Sequence, residues 1–383
     1  MKILFTITYY LPNISGMSTY LKALGNKLSD KHNVTILTSK HQDNLPDVEI
    51  VNKNLCIKRV PVTFRVSKGV IMLRYFFRAL REVKKHDVIN CHIPQFESVL
   101  TAIASKIYKK RLVVTYHTEL SWRGNWFNLL AVTVVNITQI LTLLLADSII
   151  THTEDYLNYS KILKYFRHKV KYILAPVDIE DYDKKYVDKK YKNFLNKYIG
   201  YKKIGFVGRI ARQKGLQYLL LGAPEIRKHF KNKVLFIFVG PYNEVIGEKT
   251  YEELSPLINT IRNTAYFTGR VEPEQVSYYL NSFDLLVMPS DDSLESMPLA
   301  QIEALLHGIP VVAADLPGVR IPILRTHMGE ISKIRDSKDL AKKIIMVLVN
   351  PSAYLKHINK AQAMFDINKI IFSYEQDFLG KTN

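Results

Sequence analysis

Short apolar runs alternate with helix-length amphipathic segments along this chain, and the alternation starts twice. In the first half Ile3–Thr8, Val34–Thr38, Asp87–His92, Leu112–Tyr116, Ser148–Thr151 and Lys171–Leu174 read as strands, with Met17–Leu28 as the first helix. In the second half Lys203–Val207, Val234–Gly240 and Phe283–Met288 take up the same pattern. Alternation of this kind buries a mostly parallel sheet between helices, so the expected class is α/β with two such domains. A length of 383 residues and a hydrophobic content of 47% are enough for two cores. The expected divisions are a first domain over 1–178, a Lys- and Tyr-rich linker over 179–200, a second domain over 201–350 and a final helical stretch over 351–383.

Lys and Arg number 54 against 35 Asp and Glu, a formal net charge of +19, which points to an anionic partner: a nucleotide diphosphate, an anionic lipid surface or nucleic acid. No Gly-x-Gly-x-x-Gly follows the first strand, so the usual dinucleotide site is not supported. Cys56 and Cys91 have no metal-ligand company and read as free thiols in a reducing compartment. The opening MKILFTITYYLP has no small-residue cleavage site and reads as a first strand rather than an export signal. Trp126–Leu145 runs twenty residues without a charge, the crude length of a membrane span. Its Asn, Gln and Thr residues, and the strand that follows at Ser148, favour a helix packed on the sheet. Gly69–Lys85 reads as one helix, with Val70, Leu73, Phe77 and Leu80 on an apolar face and Arg74, Arg78, Arg81 and Lys85 in a basic stripe. Such a helix is either an ordinary surface helix or one lying on an anionic membrane.

The stretch Met288–Gly318, MPSDDSLESMPLAQIEALLHGIPVVAADLPG, reads as strand end, loop, helix and strand. Pro298 suits a first helical turn, and Gly308 with Pro310 closes the helix. Glu295 lies before that helix and Glu303 within it, on the edge of a stripe formed by Leu299, Ile302 and Leu306. A lone glutamate in such a place is usually solvated or ion-paired. Backbone N–H groups of Ser296, Met297 and Leu299 at the helix start suit an anion, whereas Pro298 has none to offer. Upstream, the strand ending at Val207 runs into Gly208-Arg209-Ile210-Ala211-Arg212-Gln213-Lys214-Gly215, whose Arg209 and Lys214 are either solvated charges or the cations of a site. His117 ends the strand 112–116 at the carboxyl edge, where polar side chains of a parallel sheet meet ligands; His92 and His152 end strands too.

Glu295 and Glu303 with seven residues between them, the Gly-x-Pro-Val-Val strand that follows, the Gly-Arg to Lys-Gly turn and the His-ended strand together resemble the retaining family-4 glycosyltransferases (glycosyl transferases group 1). Their GT-B fold sets two Rossmann-like domains facing each other across a cleft. The resemblance spans nearly the whole chain and is densest from 203 to 318. It implies transfer of a hexosyl-type sugar from a UDP-sugar or GDP-sugar to a glycan or lipid-linked acceptor, with no metal and no cofactor. By the same resemblance Glu295 meets the sugar ring, Glu303 holds the ribose hydroxyls, Arg209 and Lys214 after Gly208 hold the diphosphate, and His117 contacts the sugar. Gly16, in the loop after the first strand, brings its backbone to the phosphates, with Ser15 where the family often has a second glycine. Gly240, at a strand end, is among the donor-binding residues, the backbone of Tyr266–Val271 around Arg270 contacts the base, Ser296, Met297 and Leu299 face the diphosphate, and the last helical stretch crosses back to the first domain. Retention of anomeric configuration is implied as well; attack by Glu295 or by the acceptor on the leaving group's face both stay open. Such an enzyme would be cytoplasmic and peripheral at the inner face of the membrane.

Other classes account for part of the sequence. A charge of +19 and 23 tyrosines suit a nucleic-acid-binding protein, or a transferase that glycosylates DNA. The tyrosines are scattered and no binding motif accompanies them, so nucleic acid is not the expected partner. A non-catalytic partner subunit of the same fold would not need these motifs intact. Asp291-Asp292 could be forced into an acidic metal motif, but adjacent carboxylates commonly cap or solvate a loop, and the expected metal count is none. Nothing in the sequence speaks to oligomeric state.

Overall fold

A computed structural model describes residues 1–66, 69–120, 126–179, 185–243, 249–292 and 295–381, the side chains of 126–128 excepted. The chain forms two compact units, Met1–Pro176 with Ile367–Asn383, and Val177–Asp366.

Unit 1 is built on strands β1 (Lys2–Thr6), β2 (Asn33–Lys40), β3 (Val48–Asn52), β4 (Leu55–Pro61), a hairpin of β5 (Phe64–Val66) and β6 (Gly69–Ile71), β7 (Val88–Ile93), β8 (Arg111–Tyr116), β9 (Ser148–Thr151) and β10 (Val170–Tyr172). Its main sheet has the order β10-β9-β8-β7-β1-β2-β4-β3 and is parallel apart from the β3–β4 pair. Near-continuous apolar strands such as β7, buried at every residue, suit a sheet covered on both faces. Helices α1 (Gly16–Ser29), α2 (Tyr75–Lys85), α3 (Ser98–Ile107) and α4 (Trp126–Leu145) link these strands. Strand order runs one way from β1 to β2 and the other way from β7 to β9, so right-handed crossovers put α1 on one face and α2, α3 and α4, packed side by side, on the other.

The expected helix over Gly69–Lys85 is corrected. Residues 69–71 are the second strand of the hairpin, and the helix starts at Tyr75. Its buried face is Tyr75, Ala79, Glu82 and Val83, while Leu73 and Phe77 are 62% and 73% exposed. The sequence reading had the right period in the wrong phase, because Glu82 is buried through its ion pairs with Lys58 on β4 (2.6 Å) and Arg78 (3.4 Å).

Unit 2 carries β11 (Lys202–Val207), β12 (Val234–Val239), β13 (Ala265–Phe267), β14 (Leu285–Met288), β15 (Val311–Ala314) and β16 (Gly329–Ser332), in one parallel sheet of order β13-β12-β11-β14-β15-β16. Its principal helices are α5 (Leu216–His229), α6 (Leu299–Leu306) and α7 (Ser337–Val349). Phe206, Phe236 and Phe238 with Leu219, Leu220 and Ile344 make the core between sheet and helices.

Two boundaries differ from the sequence reading. Of the linker expected over 179–200, residues 180–184 lie outside the described residues, and 189–196 form a helix belonging to unit 2. That helix is anchored: Tyr191 is 1% exposed, and the hydroxyls of Tyr279 and Tyr266 donate to Asp188 Oδ2 at 2.9 and 3.3 Å. The final helical stretch is also divided. Residues up to Asp366 stay with unit 2, and only α8 (Ile367–Phe378) joins unit 1. There Tyr374 hydrogen-bonds Tyr20, Phe378 packs on Phe5, and Arg111 and Ser148 donate to Asp377 at 2.8 Å.

Candidate functional site

In a parallel sheet the loops at the carboxyl ends of the strands form the ligand edge, and the crevice opens where strand order reverses. In unit 2 that reversal lies between β11 and β14. The loop after β11 carries Gly208, Arg209 and Lys214; the loop after β14 carries Glu295, Ser296 and Met297. The two loops are joined. Gly215 has φ +65, and a Cβ there would run into the Pro289 carbonyl, so only glycine lets the turn reach the other loop. Asp291 N donates to Gln213 O at 3.1 Å, and the Tyr218 hydroxyl donates to Asp291 Oδ2 at 3.4 Å.

This junction sets Lys214 Nζ 2.6 Å from Glu295 Oε1, with the side chains 15% and 14% exposed. A partly desolvated cation and carboxylate, facing the solvent edge of a switch point, form a site with one exchangeable partner on each side. Arg209 stands exposed in the same loop. Beside it the strand tips are glycine: a Cβ on Gly240 would run into Gly208 O, Gly240 bridges Gly269, and Gly240 N donates to Thr268 Oγ1 at 3.1 Å. Backbone without side chains here leaves room for a flat group against the ends of β11, β12 and β13. Arg270 follows, exposed.

Helix α6 differs from its expectation. Pro298 is the N-cap rather than a first-turn residue, and Gln301 to Leu306 are all buried, so the helix has no solvent face and Glu303 lies inside it rather than on a stripe's edge. Leu299 is half-buried, and Ser296 and Met297 are buried. Gln301 ties α6 to the loop beyond β15 by donating to Val319 O at 2.9 Å. Gly318 in that loop sits where a Cβ would strike Ser296 O, a close approach that no strand or helix period announces.

In unit 1 the carboxyl edge collects histidines. His117 follows β8 and is buried; its Nε2 lies 2.9 Å from His92 Nδ1 on β7, and the rings stack at 5.1 Å. His152, after β9, donates Nδ1–H to Ile173 O at 3.1 Å. Tyr20 on α1 packs edge-on to His117 at 4.8 Å. Burial pushes the imidazoles down, His92 to about 3 and His152 to about 4, with His117 well below the usual histidine value, so all three are neutral near pH 7. The sequence placed His92 and His152 at strand ends but gave no sign that they contact or neighbour His117. Gly16 is the first residue of α1, capped by a reciprocal Ser15–Ser18 capping box, so the serine standing where a second glycine is common serves as an N-cap. Space around the Gly16 α-carbon is open.

The family model for "Glycosyltransferase Family 4" matches residues 14–181, and that for "Glycosyl transferases group 1" matches 187–364. Between them they account for both units. The chain belongs to the family-4 glycosyltransferases. A glycosyltransferase of Methanocaldococcus jannaschii is 24% identical to this family member over 360 residues, covering 89% of this chain and 88% of that one. The D-rhamnosyltransferase WbpZ of Pseudomonas aeruginosa is 22% identical, covering 82% and 77%. Among solved structures, sucrose-phosphate synthase of Thermosynechococcus elongatus superposes with a TM-score of 0.75 at 18% identity over 99% of this chain and 98% of that one. HepE of Anabaena in complex with UDP-glucose gives 0.76 at 18% identity over 99% and 100%. The fold of this glycosyltransferase is therefore GT-B.

Among the described residues of this family-4 glycosyltransferase, no group of three or more His, Cys, Asp or Glu side chains is arranged to hold a metal ion. No helix among them is long and apolar enough to cross a membrane. Cys56 and Cys91 are free thiols, and burial raises Cys91 to about 12.

Proposed function

We propose that this glycosyltransferase takes its sugar from a nucleoside diphosphate donor, a UDP- or GDP-hexose, and transfers it with retention to a glycan or lipid-linked acceptor. The observation that carries the reading is the Lys214–Glu295 pair at the β11/β14 switch point, beside an exposed Arg209 and a glycine-lined edge. A diphosphate is the natural competitor of Glu295 for Lys214, since a phosphate oxygen offers the ammonium a stronger charge than one carboxylate. HepE, which shares the fold, is known in complex with UDP and UDP-glucose.

In this reading the bond between the sugar C1 and the β-phosphate oxygen breaks, and its electron pair stays on the diphosphate. The acceptor hydroxyl oxygen bonds to C1, and its proton leaves on the departing phosphate. Nucleoside diphosphate is a weak base, so what lowers the barrier is fixed positive charge: Arg209, Lys214 and the backbone N–H groups of Ser296, Met297 and Leu299. The proposal therefore needs no metal and no cofactor. Glu295, once displaced from Lys214, is assigned to the sugar, Glu303 to the ribose hydroxyls, and Gly208, Gly240 and Arg270 to the base-side edge. His117 is assigned a contact with the sugar and Gly16 a backbone approach to the phosphates. The working compartment is the cytoplasm.

A thermal-shift panel of UDP- and GDP-sugars tests the reading. One donor is expected to raise the melting temperature in proportion to the logarithm of its concentration, because it binds only the folded chain. The same donor should yield an α-linked product from an α-linked donor. A flat panel, or an inverted product, refutes the proposal.

A further inference from the structure

Tyr20 is the common neighbour of all three histidines at the carboxyl edge of unit 1. Its ring lies 4.8 Å from His117, 5.8 Å from His92 and 5.5 Å from His152, and stands perpendicular to His117 at 86°. The histidines hold one another less evenly. His92 bonds His117 Nε2, whereas His152 turns its Nδ1–H to Ile173 O and only packs on His117, at 5.9 Å. The outer torsion of a histidine side chain is broad, and one hydrogen bond leaves the ring free to swing about it. What fixes the remaining angle is a ring packed against its side. That ring is Tyr20, 2% exposed.

Tyr20 is held in turn by an element far along the chain. Its hydroxyl and that of Tyr374 on α8 hydrogen-bond each other, and Tyr374 is fully buried. Burial pushes both phenols above the usual tyrosine range, so each keeps its proton and the pair is neutral. A buried phenol needs such a partner, because an orphaned hydroxyl bears the whole cost of leaving water. Helix α8 does not depend on that bond to stay docked. Arg111 and Ser148 bond Asp377, His32 Nε2 pairs with Glu375 Oε1 at 2.8 Å, and Phe378 packs on Phe5. Tyr20 also stands four residues after Gly16, one turn along the same face of α1. The helix that begins at the residue assigned to the phosphates therefore carries the seat of the residue assigned to the sugar.

We infer that Tyr20 is a positioning residue for His117 and that Tyr374 is the latch that keeps Tyr20 in place. Through this pair α8 sets the orientation of a side chain in the donor site. His117 Nε2 is taken by His92, so Nδ1 is the nitrogen left for a sugar hydroxyl, and its direction follows from the tilt of the ring. The inference rests on the donor reading for what His117 touches, but the seat of the ring is a property of unit 1 alone.

The test compares three variants of the full chain. Tyr20→Phe/Tyr374→Phe removes both hydroxyls and keeps the ring; Tyr20→Leu/Tyr374→Phe removes the ring as well; Tyr374→Phe leaves the Tyr20 hydroxyl buried without its partner. Each is read by the side-chain nitrogen-15 resonances of His117, by the affinity for UDP and GDP, and by kcat for transfer. The first is expected to keep the wild-type resonances and a kcat within about threefold, since both members of a polar pair are replaced together. The second should shift the His117 resonances and lower kcat by about tenfold or more, with nucleotide affinity changed by less than about twofold. Tyr374→Phe should fall between them. Wild-type resonances and kcat in the second variant overturn the inference, as does a first variant no better than the second. A fall in nucleotide affinity that matches the fall in kcat overturns it too, because it marks general damage. Should the second variant not fold, Tyr374→Phe decides, and unshifted resonances with an unchanged kcat there overturn the latch. If neither nucleotide binds the wild-type chain, the donor reading fails by itself and the His117 resonances still decide the seat.

Discussion

Lys214 Nζ and Glu295 Oε1 are 2.6 Å apart, bridging the loops that follow two neighbouring strands of the unit 2 sheet. The contact ties together two residues to which the family resemblance gives different tasks, diphosphate and sugar. A donor phosphate would have to take Lys214 from Glu295. Glu295→Gln should therefore bind the bare nucleoside diphosphate more tightly, by about threefold to tenfold, because a competing carboxylate has gone. Transfer should fall by on the order of a hundredfold or more if Glu295 meets the sugar at the transition state. Titration calorimetry and turnover on the same variant separate the two effects; weaker diphosphate binding would contradict the exchange.

Gly215 makes that bridge possible. With φ +65 and the Pro289 carbonyl in the place of a Cβ, Gly215→Ala must either strain the backbone or part the loops. We expect a loss of about 2 kcal/mol or more in denaturant unfolding, and a drop in donor affinity beyond that of a simple stability loss. A variant as stable as wild type would show that the loops are not locked together.

His92 sets the tautomer of His117. The Nε2 of His92 is buried with no partner among the described residues, and a bare acceptor is better tolerated there than an orphaned N–H. His92 then carries its proton on Nδ1 and donates to His117 Nε2, leaving the His117 proton on Nδ1. Long-range nitrogen-15 spectra should show an unprotonated Nε2 at His117 in wild type and a mixed tautomer in His92→Phe. A protonated Nε2 in wild type would contradict the assignment.

The same histidines predict a pH dependence of stability. Their folded values lie below the unfolded 6.5, so below that pH the unfolded chain takes up protons that the folded chain refuses. Their contribution is complete above 6.5 and is lost as pH drops toward about 4 and then 3. Glu97 works in the opposite sense, since burial raises it from 4.5 to about 7 and its contribution fades as pH rises through that window. Three histidines outweigh one carboxyl, so these four groups together should give a slope on the order of 2 kcal/mol per pH unit between pH 4.5 and 6.5. Denaturant melts at several pH values check this, and His152→Gln should flatten the slope.

What the sequence revealed was what local chemistry encodes. Gly-Arg to Lys-Gly and the spaced glutamates describe loops whose conformation follows from their own residues, and the loop residues Arg209, Lys214 and Glu295 do lie at one sheet edge. Hidden were the relations set by partners far along the chain. Glu82 is buried because Lys58 meets it, which shifts the phase of α2. The linker helix is held by Asp188 and tyrosines from beyond residue 260, so part of the Lys- and Tyr-rich segment expected as a linker is packed. Helix α4 buries Gln139 and Thr142 beside Leu143 and shows Leu130, Leu141 and Leu144 outward, a pattern that composition cannot signal.

Titration calorimetry of UDP and GDP against wild type, Arg209→Ala and Lys214→Ala tests the central claim most directly. The account predicts saturable one-site binding of one of the two nucleotides, weakened by about a hundredfold in each variant while the melting temperature without ligand is unchanged. Equal affinity in all three proteins, or no binding of either nucleotide to wild type, would contradict it.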